Sequence, residues 1–193
     1  MKQSMSLIAG AIAFAGPVFA DNYDFDAMRA SAGKYKNVEV ALAEGYIPDP
    51  SGKCISAEGE GLPQEWGGMG IHYLRPDLLK LSPPGDRVDG AGTHTDFMAP
   101  AILLYEPQAD GSLELVGIEN LVFEASWMSN GHAGPPMMNG RAWDHMMDDP
   151  NTSGDEAHGF MPHFDQHVWL FRKNPLGDLM PFNPTVTCEH HRG

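Results

Sequence analysis

The chain has 193 residues, with 12 Lys+Arg against 26 Asp+Glu and a formal net charge of −14. That acidity argues against a nucleic-acid binder, which needs clustered Lys and Arg, and disfavours an anionic membrane surface. Hydrophobic residues at 42% exclude a disordered chain, while 22 Gly and 16 Pro predict many turns and long loops rather than a helical bundle.

Residues 1–20 read as an export signal. Lys2 gives a basic start, Leu7 to Ala15 an apolar run, and Gly16-Pro17 break it before Val18-Phe19-Ala20. This is the three-part pattern of a secretory leader, with cleavage expected before Asp21. The apolar run is too short for a spanning helix, and no later segment approaches eighteen consecutive apolar residues. The expectation is one exported domain over 21–193, periplasmic or extracellular, with no membrane insertion after cleavage. Losing Lys2 leaves 11 basic residues against 26 acidic ones, a net −15.

From Asp24, Phe25, Met28, Ala32, Tyr35, Val38 and Leu42 recur at helical spacing. Asp24 is the expected N-cap and Gly45 the terminator, with Gly33 weakening the interior. Residues 47–68 are loop-like. Met69 to Leu74 reads as a short strand, stopped by Pro76, which opens a helical turn through Leu79. Residues 82–95 return to loop chemistry. Ala101 to Tyr105 and Leu113 to Glu124 read as strands joined by a turn at Asp110-Gly111, an antiparallel hairpin with a bulge near Gly117 or Asn120. Residues 126–161 read as a long irregular segment, followed by a strand from His163 to Arg172. The predicted fold class is α+β: a mainly antiparallel sheet, open or barrel-like, with an N-terminal helix packed on it and long loops.

Cys54 and Cys188 are the only cysteines. Export favours pairing them as a disulfide; the competing reading is a thiolate metal pair, or Cys188 acting with His190 and His191.

The stretch Ser126–His167 holds five of the nine histidines and six of the twelve methionines. Its sharpest pattern is His163-Phe-Asp165-Gln-His167-Val-Trp169. On a strand these alternate positions share one face, so His163 and His167 converge with Asp165 between them. Neutral imidazole is a common metal ligand, and His72, beside the flexible Gly67-Gly68-Met69-Gly70, is the preferred third. The metal candidates are therefore His72, His163, His167 and Asp165. Glu119 and Glu124 are acidic candidates on the neighbouring strand, and Tyr73, Glu124 and Trp169 are binding candidates around the site. Imidazole with carboxylate suits zinc, and added thioether suits copper, Cu(I) especially.

The 126–161 segment is expected to close over the site as a lid, walled by Trp127, Trp143 and Trp169. The same histidines also fit a metal-free pocket for a small polar ligand, in which they move protons or orient that ligand, or a purely structural role. A further reading is an interaction protein using the long loop. The zinc-peptidase pattern is absent, because Phe164 follows His163, and so are a nucleophile elbow and a phosphate-cradling glycine loop.

Ala41-Leu-Ala-Glu-Gly-Tyr46, Met69-Gly-Ile-His-Tyr73, Leu103-Leu-Tyr-Glu-Pro107, His163-Phe-Asp-Gln-His-Val-Trp-Leu170 with Asn174-Pro175, and Phe182-Asn-Pro-Thr-Val-Thr-Cys188 occur together. In combination they resemble a family of uncharacterised exported bacterial proteins. The resemblance spans nearly the whole chain after residue 20 and implies a single exported domain, without an established activity. It places His72, His163, His167 and both cysteines within the family's motifs.

Overall fold

The computed structural model describes residues 23–152 and 154–192; the expected leader lies outside the described residues. The Asp24 carboxylate accepts from the N–H groups of Asp26 and Ala27 and opens α1 (Phe25–Ala32). The single helix expected through Leu42 is instead three pieces: α1, a 3-10 turn at Gly33–Lys36, and α2 (Val38–Ala43). Gly33 weakens the continuation, and Asn37 leaves helical geometry to cap afresh, its side chain accepting from Glu39 N–H. Gly45, at φ +93°, ends α2 as expected. The apolar spacing holds up to Tyr35, with Met28, Ala32 and Tyr35 buried in one cluster, but past the break Ala41 is buried there in place of the expected Leu42, which is 40% exposed.

The strands are β1 (Ile47–Pro48), β2 (Cys54–Ser56), β3 (Gly68–Leu74), β4 (Ile102–Pro107), β5 (Leu113–Phe123), β6 (Met137–Met138), β7 (Arg141–Ala142), β8 (Asp144–Met146) and β9 (His163–Val168). Helix α3 (Pro76–Leu79) follows β3, and α4 (Glu124–Ser129) follows β5. The main sheet is antiparallel in the order β1-β3-β4-β5-β9-β8, with β2 also pairing β3. It is open: the short edges β1, β2 and β8 do not meet, which corrects the barrel-like alternative. Two- and three-residue edges leave too little ladder to close a cylinder.

The β4–β5 hairpin carries its bulge at the expected place. Leu104 opposes Gly117 and Tyr105 opposes Leu115, leaving Val116 as the extra residue. The Val116 carbonyl then accepts from both Phe171 and Arg172 N–H, which draws the chain out of the ladder. β9 therefore ends at Val168 rather than Arg172.

Alternation along these strands makes two buried faces. Tyr73, Leu103, Ile118, Val122, Phe164 and Val168 face the helical layer. Ile102, Leu104, Leu121, Phe123 and Trp169 face the other way, under Leu79, Phe160 and Val186.

The 126–161 segment is more ordered than its composition implies. β6 and β7 form a hairpin across Asn139-Gly140, whose φ values of 49° and 80° suit a tight primed turn. β8 then joins β9 as an edge. Trp143, Met138 and Trp127 pack into the cluster on the helical face. Only Trp169 of the three expected lid walls stands on the opposite face, so the arrangement of that lid is corrected.

Cys54 and Cys188 form a disulfide, Cα–Cα 5.7 Å, across 134 residues. This removes the thiolate-metal alternative. Among the described residues no helix is long and apolar enough to cross a membrane.

Two stability predictions follow from these constraints. The chain-entropy model gives the 134-residue closure about 5 kcal/mol. Reducing it, or the double change Cys54→Ser with Cys188→Ser, is expected to lower the melting temperature by roughly 10 °C or more. Thermal melts with and without reductant read this directly. Gly70 sits at φ +92°, and a Cβ there would meet the Tyr105 carbonyl oxygen at 2.5 Å. Gly70→Ala is expected to cost at least about 1–3 kcal/mol in urea denaturation.

Candidate metal centre

His72, Glu119 and His167 come from three strands of one sheet. His72 opposes Leu104 on β4, while Glu119 opposes Ile102 on β4 and His167 on β9. Directly opposed residues share a face, so all three project away from the helical layer. β4 lies between His72 and Glu119, placing their backbones about 10 Å apart. Two long side chains reach over the middle strand to close that gap. His72 Nε2 ends 3.2 Å from Glu119 Oε2, and His167 Nε2 lies 3.4 Å from the same oxygen. One donor atom from each residue lies within 4.8 Å of the others. The residues are only 4%, 2% and 0% exposed, so water does not solvate their charges.

Burial of this kind is costly unless each polar atom finds a partner. His72 Nδ1, Glu119 Oε2, both His167 nitrogens and, nearby, Asp165 Oδ1 are buried without a hydrogen bond. Burial pushes the Glu119 carboxyl upward, but His167, His72 and His163 around it outweigh that, and its pKa is lowered. Burial works against a charged His72, yet Glu119 beside it, with Asp49 and Asp165, raises its pKa overall. A positive charge is therefore wanted at this point.

Donor spacing in this group fits either a shared proton or an ion. Donors at 2.0–2.1 Å from a tetrahedral zinc stand about 3.3 Å from each other. A charge-assisted N–H···O contact is shorter, about 2.8 Å. The observed 3.2 and 3.4 Å lie near the coordination edge, and 3.2 Å is also within hydrogen-bond reach.

The other sequence candidates fall into three groups. Asp165 and His163 continue the same face along β9, opposing Leu121 and Phe123. Asp165 Oδ2 lies 3.7 Å from His163 Nε2 and 3.9 Å from His167 Nδ1, outside the close trio. Trp169 shares the face, its ring stacked 6.2 Å from His167, and its Nε1 donates to the Met180 carbonyl. Tyr73 does not reach the site: strand alternation turns it to the helical face, against Tyr105 at 4.9 Å. Glu124 also lies apart, at the start of α4, with its carboxylate 3.2 Å from His145 Nε2.

The remaining histidines are dispersed. His132 stacks on Trp127, His158 faces Glu60, and His191 Nε2 lies 2.9 Å from the Gly52 carbonyl. Asp49 escaped the sequence reading altogether. It is buried, its N–H donates to the His72 carbonyl, and nothing periodic marks it between Pro48 and Pro50.

No family model, curated protein or solved structure matches the chain.

In the metal-free protein the trio sets opposite pH limbs. Glu119, lowered from 4.5, contributes stability present above about that pH and lost as pH falls through its folded value. His72, raised from 6.5, contributes stability present below about that pH and lost as pH rises through its folded value. Stability in chelator is expected to peak between these values. Glu119→Gln should flatten the acid limb of the urea midpoint measured against pH.

Proposed function

We propose that the protein is an exported metal-binding protein that holds a divalent transition-metal ion, zinc first, between His72, Glu119 and His167. The observation carrying this reading is the set of buried donors with no hydrogen-bond partner, spaced as donors around one ion. Two imidazoles and a carboxylate form a set that zinc accepts, with a fourth position left for water or another oxygen donor. The thioethers that would favour Cu(I) mostly lie elsewhere: Met138 is buried on the helical face, and Met137 and Met147 are exposed. Cu(II) still competes in vitro, because it outranks zinc at most nitrogen and oxygen sites.

Burial of the trio favours an ion that is retained over a substrate that comes and goes. A cleft of about 490 Å³, lined by Pro50, Lys53, Leu81, Arg87 and Asp155 among others, includes none of the three. The disulfide, the leader pattern and the motif resemblance together support loading in the periplasm or outside the cell, where disulfides persist.

Chelator-stripped, untagged protein titrated with zinc tests the site. Wild type is expected to bind tightly and gain thermal stability, about 2.7 kcal/mol at a hundredfold excess over Kd. His72→Ala and Glu119→Gln should each weaken binding by at least about 100-fold, beyond the usual loss for an outer-shell contact. Affinity should fall toward pH 5 as protons compete for the imidazoles. If both variants bind zinc as wild type does, the assignment fails.

A further inference from the structure

The cleft of about 490 Å³ stands apart from the trio, and its volume falls in the range of sites that enclose small organic molecules. Most of its lining comes from three stretches of chain: Ile47 to Lys53, Leu81 to Asp89, and Asp155 with Gly159. The second stretch is held in place by the chain itself. Leu81 and Gly90 form an antiparallel bridge, and Ser82 N–H donates to the Asp89 carbonyl at 2.8 Å. Val88 N–H donates to the Gly159 carbonyl, and the Val88 carbonyl accepts from Met161 N–H, both at 2.9 Å. Pro83 and Pro84 fix φ between these ties. A cleft already shaped in this way loses little affinity to ordering its walls.

Ile47, Leu81 and Val88 give the lining an apolar part, and Ile47 is 39% exposed there. Covering such surface with an apolar group is favourable. Charge then decides which apolar group. Lys53, Asp86, Arg87, Asp89 and Asp155 are the charged residues of the lining. Both cations already face carboxylates of the same chain. Lys53 Nζ lies 3.3 Å from Asp155 Oδ2, while Arg87 pairs with Asp148 and Asp155 and donates to the Phe160 carbonyl. Asp86 has no hydrogen bond or ion pair among the described residues. Asp89 accepts from the adjacent Gly90 N–H at 2.7 Å and faces no cation among them. An anion entering the cleft would have to displace Asp155 from Lys53 or Arg87, on a chain of net charge −14. A cation displaces nothing, and the field of the whole chain draws it in.

We propose that this cleft binds a small organic amine: its apolar body lies against Ile47, Leu81 and Val88, and its ammonium group pairs with Asp86 and Asp89. The site is separate from the metal reading and does not depend on it, since the lining includes none of the trio. The ligand is held there without a covalent step.

Three probes of similar shape and different charge test this: phenethylamine, phenethyl alcohol and hydrocinnamate. Each is titrated into untagged, disulfide-intact protein and followed through the backbone amide NMR signals. The amine is expected to shift amides within 47–53 and 81–89, and to bind at least about fivefold more tightly than the alcohol, the scale of an exposed ion pair. The carboxylate should bind more weakly than the alcohol. Added salt should weaken the amine and leave the alcohol unchanged. The double change Asp86→Asn with Asp89→Asn retains a side-chain oxygen for the Gly90 N–H, and should lower the amine to the level of the alcohol. Ile47→Ser should weaken amine and alcohol alike.

A carboxylate that binds as tightly as the amine overturns the proposal. So does an amine preference that survives the double change, or a set of amine shifts confined to other parts of the chain. The absence of any shift with millimolar amine overturns it on wild type alone, whatever the variants do.

Discussion

Glu119 is a carboxylate in the middle strand region of a sheet covered on both faces, and it stays charged there only while something positive stands beside it. Around it, within one row of side chains, five buried polar atoms lack hydrogen bonds: His72 Nδ1, Glu119 Oε2, both His167 nitrogens and Asp165 Oδ1. Each such atom costs about 1–3 kcal/mol. His72, Glu119 and His167 stand close enough together that the group could hold one metal ion.

The sheet tolerates this row because its other face is devoted to cohesion. Leu103, Ile118, Val122 and Val168 alternate with the polar positions along the same strands and pack under the helical layer. Each fully buried aliphatic side chain contributes about 1.5–3 kcal/mol. The polar row is also flanked on its own face by Ile102, Leu104, Leu121 and Phe123, which exclude water from it. Low dielectric strengthens every attraction to a bound cation and every penalty without one. One pleat thus separates the residues that hold the fold together from those that could hold an ion.

Much of this was legible from spacing alone. His163, Asp165 and His167 share a face because any strand there would alternate, and the Asp110-Gly111 turn announced the β4–β5 pairing. Glu119 was visible only as one acid of two, since choosing it over Glu124 needs the β5–β9 register, which no local signal sets. Tyr73 was drawn in by sequence adjacency to His72, whereas on a strand adjacency means the opposite face. The Asn139-Gly140 hairpin carried a clear turn signature. It was obscured by two-residue strands too short to show any alternation. The helix break at Asn37 was hidden because the apolar spacing continues through it.

The disulfide and the His72–Glu119–His167 group act on the same strand. Cys54 opposes Ile71, one position before His72, so the crosslink ties β2 and the C-terminal segment to β3 beside His72. β2 has only three residues, too few to hold that edge by ladder bonds alone. Oxidation therefore fixes the strand, and with it the reach of His72 over β4. A site whose donors repel one another when empty needs such a brace, because binding energy spent on assembling the strands would be subtracted from affinity. With β3 pinned by a covalent bond and β5 and β9 pinned by the apolar face, the three donor atoms are held within 4.8 Å of one another.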